Sequence, residues 1–160
     1  MTRGTFLRAA PRVAGALSVL SVCIWAVFLA LNDFSEGDVP SAISNTVGYA
    51  AFSTVGLLIL SRDARNRIGW ICTVIGLSAI LTFAAEEYAR FAYVTTDAGV
   101  PFREAVASLA LWPWGPSTVL PITLLPLHFP SGRLLSGRWR ALAMLTTATT
   151  AAFIVAAALL

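Results

Sequence analysis

The chain has 160 residues, of which 58% are hydrophobic and only 12% charged, and its mean hydropathy is +0.78. A soluble domain carries about a quarter charged residues, so this composition excludes an ordinary water-soluble fold. The net charge of +3 comes from arginines in short, separated clusters; retention of loops and contact with anionic lipid head groups account for them, and no nucleic-acid partner is expected.

Five stretches lack Asp, Glu, Lys and Arg altogether: Val13–Leu31, Val39–Ser61, Ile68–Ala85, Ala105–Pro130 and Ala141–Leu160. Each approaches or exceeds the roughly 20 apolar residues that a helix needs to cross the hydrocarbon core. The runs are continuously apolar, without the ten-residue alternation of a barrel strand, so the backbone must satisfy itself as helix. The expected fold is an all-α, polytopic transmembrane bundle forming a single integral membrane domain. Its spans are expected at about 13–31, 44–61, 68–87, 106–128 and 141–160, after a tail at 1–12.

The first span follows Arg3, Arg8 and Arg12. Its apolar run is too long for a secretory signal core and has no clear small-residue cleavage site before Asn32, so an uncleaved helix is expected. Gly48 and Gly56 in the second span permit close helix approach, although they lack four-residue spacing. The short turn Arg62–Arg67 makes spans two and three antiparallel neighbours. Span three opens at Ile68-Gly69-Trp70, with Trp70 at the interface, and continues as helix through the Glu86/Arg90 pair. Beyond it lies an aromatic segment with Glu87, Tyr88, Phe91 and Tyr93, readable as a ligand site or as an interfacial belt. Span four holds Trp112-Pro113-Trp114-Gly115-Pro116, then Pro121 and Pro126. Each proline removes a helix donor, which predicts a kinked span, with Ser117, Thr118 and Thr123 re-satisfying freed carbonyls. Span five is rich in Ala and Thr, which suits tight packing in lipid.

The loops sort by charge. Arg3, Arg8, Arg12, Arg62, Arg65, Arg67, Arg133, Arg138 and Arg140 fall on alternate loops, on one side. Asp33, Glu36, Asp38, Glu86, Glu87, Asp97 and Glu104 fall on the other. The positive-inside rule puts the N-terminus in the cytoplasm of a cell-membrane protein, and five spans put Leu160 outside. An odd count reads as an input region ending before its effector.

No acid or base lies inside the five charge-free stretches, which argues against proton-coupled transport. His128, the sole histidine, is expected to be solvated at a membrane edge. Cys23 and Cys72 sit at different depths, so no disulfide is expected. The sequence has no phosphate-binding glycine loop, nucleophile elbow or zinc spacing. No catalytic residue, metal ligand or cofactor is expected.

Three motifs carry a resemblance. The run Leu124-Leu125-Pro126-Leu127-His128-Phe129-Pro130-Ser131-Gly132-Arg133-Leu134, followed by Ser136-Gly137-Arg138-Trp139-Arg140, resembles the LLFPDGRLPSRRWR signature. That signature belongs to the membrane-embedded N-terminal regions of actinobacterial-type sensor histidine kinases. Asn66-Arg67-Ile68-Gly69-Trp70 resembles their N-x-IGW segment, and Glu87-Tyr88-Ala89 their EYA segment. The resemblance spans roughly Val55 to Arg140, in the family's order. Ser131 replaces the usual Asp and Leu135 a frequent Pro.

The resemblance implies a membrane sensory region whose motif residues are Asn66, Gly69, Trp70, Glu87, Tyr88, Pro130, Gly132, Arg133, Arg138, Trp139 and Arg140. The proline-flanked Trp112, Pro113 and Pro116 join them as candidates for relaying movement. The resemblance also implies homodimerisation and a cytoplasmic response regulator, both through a kinase region that this sequence does not contain. His128 does not match the phospho-accepting position. The alternatives are a stand-alone integral membrane protein with a structural or partner-binding role, and a passive transporter component.

Overall fold

The computed structural model describes residues 3–33, 39–96, 99–111, 113–129, 132, 134 and 136–158. Among them the fold is all-helical: α1 (Arg3–Leu31), α2 (Val39–Arg62), α3 (Arg67–Arg90), α4 (Arg103–Leu111), α5 (Trp114–Ile122), α6 (Leu124–His128) and α7 (Gly137–Ala158). A single π turn, Phe91–Thr95, continues α3. Four helices are long and apolar enough to cross a membrane: Ala9–Leu31, Val39–Arg62, Arg67–Thr95 and Gly137–Ala156. They support a multi-pass membrane protein.

The helices outrun the apolar stretches. Helix α1 starts within the expected tail and carries Pro11 inside it; α2 starts at Val39 rather than near 44, and α7 at Gly137 rather than near 141. Apolar runs mark the hydrocarbon portion of a helix, whereas hydrogen bonding continues into the interface wherever propensity allows.

The stretch expected at 106–128 is divided. Its described residues form α4, α5 and α6, each of nine residues or fewer. The prolines account for the breaks. Pro113 is the N-cap of α5, and Pro116 lies in its first turn, as Pro126 does in α6; first-turn amides need no intrahelical acceptor. Pro121, one residue before the end of α5, denies that helix a continuing donor. Ser117 Oγ donates to the Trp114 carbonyl (2.7 Å) and Thr123 Oγ1 to the Val119 carbonyl (2.6 Å).

Helix α3 is the hub. Its buried residues, including Gly69, Cys72, Thr73, Ile75, Gly76, Ala79 and Ile80, surround it on most sides. Against α2 the contact is glycine-made. A Cβ on Gly76 would lie 2.5 Å from the Tyr49 carbonyl oxygen, and one on Gly56 would lie 2.7 Å from the Gly69 carbonyl oxygen. The pairing of 49 with 76 and 56 with 69 makes the two helices antiparallel. Backbones this close replace the hydrophobic drive that lipid removes. Helix α1 joins through a buried stripe, Ala14, Ser18, Ser21, Trp25, Leu29 and Asn32, and the Ser18 and Ser53 hydroxyls share a 2.8 Å hydrogen bond across α1 and α2.

Helices α4 to α6 run the length of α3. Arg103 of α4 stands over the Tyr93 ring (5.5 Å) at one end. Leu124 and His128 of α6 share a cleft with Asn66 and Arg67 at the other. Helix α7 leans on this segment: Phe153 packs edge-on to Trp114 (5.4 Å), and Ala143 joins Ile75, Leu120 and Leu124 in one core cluster.

Candidate functional site

Asn66, Gly69, Trp70, Gly132 and Arg140 gather at one end of α3, and Glu87 and Tyr88 lie at the other. At its N-terminal end the turn after α2 is internally wired. The Arg65 amide donates to Asp63 Oδ1 (2.9 Å), and the Asn66 amide to the Asp63 carbonyl (3.0 Å). Asn66 is the N-cap of α3, its Oδ1 accepting from the Gly69 amide (3.1 Å). Trp70 Nε1 donates back to the Ala64 carbonyl (2.9 Å). Gly69 lets α2 close in, since a Cβ there would sit 3.0 Å from Ile59 and Leu60. Asn66, Gly69 and Trp70 therefore each have a task in fixing this turn.

Facing it, α6 ends at His128, whose carbonyl accepts from the Gly132 amide (2.7 Å). Gly132 sits at φ +72°, a left-handed conformation that glycine adopts without strain. His128 is buried, with Nδ1 2.8 Å from the Leu124 carbonyl oxygen. The expectation of a solvated histidine is corrected: α6 turns its ring inward.

Between α3, α6 and α7 lies an open cleft of about 1320 Å³. Asp63, Arg65, Asn66, Arg67, Trp70, His128, Gly132 and Arg140 line its polar end, while Ile71, Leu124, Ala143, Met144, Thr147, Ala148 and Ala151 line the rest. Residues of two motifs, far apart in sequence, thus share one cavity. Arg138 is exposed and outside it. Trp139 lines a separate, smaller groove with Ile122, Pro126 and Thr146. Pro113 and Pro116 are buried at the head of α5. Trp112, Pro130 and Arg133 lie outside the described residues.

The other end of α3 is a polar node. Asn32, almost wholly buried at the end of α1, donates through Nδ2 to Glu87 Oε2 (2.8 Å) and to the Glu87 carbonyl (3.1 Å). Thr95 Oγ1 donates to Asn32 Oδ1 (2.6 Å). The Tyr88 hydroxyl donates to the Pro101 carbonyl, and its ring meets Phe28 edge-on (4.9 Å). Glu87 and Tyr88 therefore pin α1 and the loop before α4 to the end of α3, and Thr95 of the π turn adds a second tie to α1. Beside them a cleft of about 320 Å³ is lined by Trp25, Asn45, Phe83, Glu86, Glu87 and Arg90 among others. The sequence reading missed Asn32 and Thr95. The available signal was a lone Asn closing an otherwise apolar helix, on the same face as Ser18, Ser21 and Trp25.

Among the described residues no three His, Cys, Asp or Glu side chains stand close enough to hold a metal, and Cys23 and Cys72 are both free. No protein-family profile, curated protein or solved structure matches the chain.

Proposed function

We propose that this chain is the membrane-embedded input region of a two-component sensor histidine kinase, with five crossings of the cell membrane and its N-terminus in the cytoplasm. The observation that carries the reading is the shared cleft: the Asn66–Trp70 turn and the Gly132/Arg140 segment, both matched to the kinase signature, line one cavity. Helices α4 to α6 act as one broken crossing, because they return from the Tyr93 end of α3 to the Asn66 end. That count leaves Arg62, Arg65, Arg67, Arg138 and Arg140 on one face, as the positive-inside rule requires of a cytoplasmic side. A change at the outer node reaches the basic face along two routes, the rigid α3 and the jointed α4–α6.

The gene downstream of the Leu160 codon tests this reading. A sixth apolar helix, a cytoplasmic helix bearing a phospho-accepting histidine and an ATP-binding domain are expected, and replacing Pro113 and Pro116 with Ala in that full-length kinase should change autophosphorylation. A stop codon at that point, or unchanged output in the double variant, contradicts it. The first of these outcomes favours the second reading, a stand-alone membrane subunit. The 22-residue α7, exposed over most of its length, offers such a subunit a surface for a partner helix.

A further inference from the structure

The cleft between α3, α6 and α7 is graded along its length. Three guanidinium-bearing residues, Arg65, Arg67 and Arg140, line its mouth with one carboxylate, Asp63. Among the described residues no carboxylate pairs with those guanidinium groups; Asp63 instead accepts from the Arg65 main chain (2.9 Å). Trp70, at the same level, has its ring N–H already committed to the Ala64 carbonyl, which leaves the ring as an amphipathic ledge.

Deeper in, the wall is apolar. Helix α7 contributes Arg140, Ala143, Met144, Thr147, Ala148 and Ala151, the i, i+3, i+4, i+7 pattern of a single helix face. Thr147 Oγ1 is turned back onto the Ala143 carbonyl (2.8 Å), so the wall presents no free hydroxyl there. From Arg140 to Ala151 the helix rises about 16 Å, close to the ~15 Å depth of one leaflet's hydrocarbon. A cationic mouth above an apolar trough one leaflet deep has the dimensions and charge order of a phospholipid, not of a soluble anion or a peptide.

We infer that this cleft is a binding site for an anionic phospholipid, its phosphate held by Arg65, Arg67 and Arg140 and one acyl chain lying along Ala143–Ala151. Basic pockets between membrane helices on the cytoplasmic side hold anionic head groups in this way. The site needs only that the chain sits in a bilayer, so it stands or falls separately from the kinase reading. It also gives the weakly packed α7 a partner: the lipid fills the wedge between α7 and the N-terminal half of α3.

The test is native mass spectrometry of the detergent-purified, delipidated full chain. It is titrated with a phosphatidylglycerol, with a phosphatidylcholine of the same acyl chains, and with glycerol 1-phosphate. Phosphatidylglycerol should be retained about tenfold or more tightly than phosphatidylcholine. Each of R65Q, R67Q and R140Q should weaken that binding about fivefold. R62Q and R138Q, which remove the same charge outside the cleft, should leave it unchanged. Ala148→Phe, which fills the trough, should also weaken it.

Equal retention of the two lipids overturns the proposal. So does an equal loss in R62Q and R138Q, which marks diffuse charge attraction. So does competition by glycerol 1-phosphate as effective as by the whole lipid, which marks a soluble-anion site. A dimer without bound lipid overturns it as well, because a second copy then fills the cleft. If an arginine variant loses its helical circular dichroism, the wild-type lipid ratio and the Ala148→Phe result decide.

Discussion

Helices α3 and α7 are both long and apolar, yet more than half of the first is buried against its neighbours and very little of the second. The difference lies in what each has to pack with. Helix α3 carries Gly69, Thr73 and Gly76 on one face, so a neighbouring backbone approaches to contact distance. Helix α7 has comparably small residues, Thr146, Ala148, Thr149 and Ala152, but among the described residues none of them meets a neighbouring backbone as Gly76 does. Its threonines Thr147, Thr149 and Thr150 bond their own helix four residues back. Small residues make a tight helix pair in lipid only when two complementary faces meet. The same composition therefore yields a hub in one case and an open helix in the other.

The strongest way to break this contrast is to spoil the hub. Gly76→Leu forces side-chain atoms into the Tyr49 carbonyl and the Ser53 main chain, neither of which can yield cheaply. It should lower the free energy of unfolding in mixed micelles by about 3 kcal/mol. Next comes Asn32→Ala. It removes the donor to Glu87 and the acceptor for Thr95 at a buried position, at a cost of about 2 kcal/mol. Label-to-label distances should show the end of α1 separating from α3.

Phe153→Ala tests the other side of the contrast. The ring is part-exposed and packs on Trp114 and Gly115, so its loss should cost only about 1 kcal/mol. Distances between α7 and α3 should broaden while α1–α3 distances stay unchanged. Gly48→Leu is the smallest. Among the described residues nothing lies within 4 Å of a Cβ there, and unfolding should shift by no more than about 0.5 kcal/mol. A large Gly48 effect, or a small Gly76 effect, would mean the helices are packed on other faces.

Much of the helical architecture was legible because lipid imposes a single rule on the backbone, and the charge-free runs report it directly. The antiparallel α2–α3 pair followed from the short Arg62–Arg67 turn. The division of 106–128 into three helices was half legible. Prolines announce that a helix stops, but Pro116 and Pro126 sit in first turns, where they begin helices. The packing faces were least legible. In an all-apolar helix no hydrophobic periodicity separates the protein side from the lipid side, and only small or polar residues such as Ser18, Asn32, Ser53 and Gly76 carry the pattern. Gly48 and Gly56 looked equivalent in the sequence; only Gly56 faces α3. At the candidate site, the arginines were visible as a loop charge, but the cleft that gathers Arg65, Arg67 and Arg140 depends on where α7 stands, which no local signal encodes.

Whether α4–α6 cross the membrane decides the five-crossing topology. Single cysteines placed at Asp33, Arg65, Gly99 and Ser136, in a chain with Cys23 and Cys72 replaced by Ala, answer this with a membrane-impermeant maleimide. Five crossings with the N-terminus inside predict that Asp33 and Gly99 positions label on intact cells, and that Arg65 and Ser136 positions label only after permeabilisation. Labelling of the Gly99 and Ser136 positions from the same side would contradict it, since the chain would then have four crossings and the basic loops would no longer share a face.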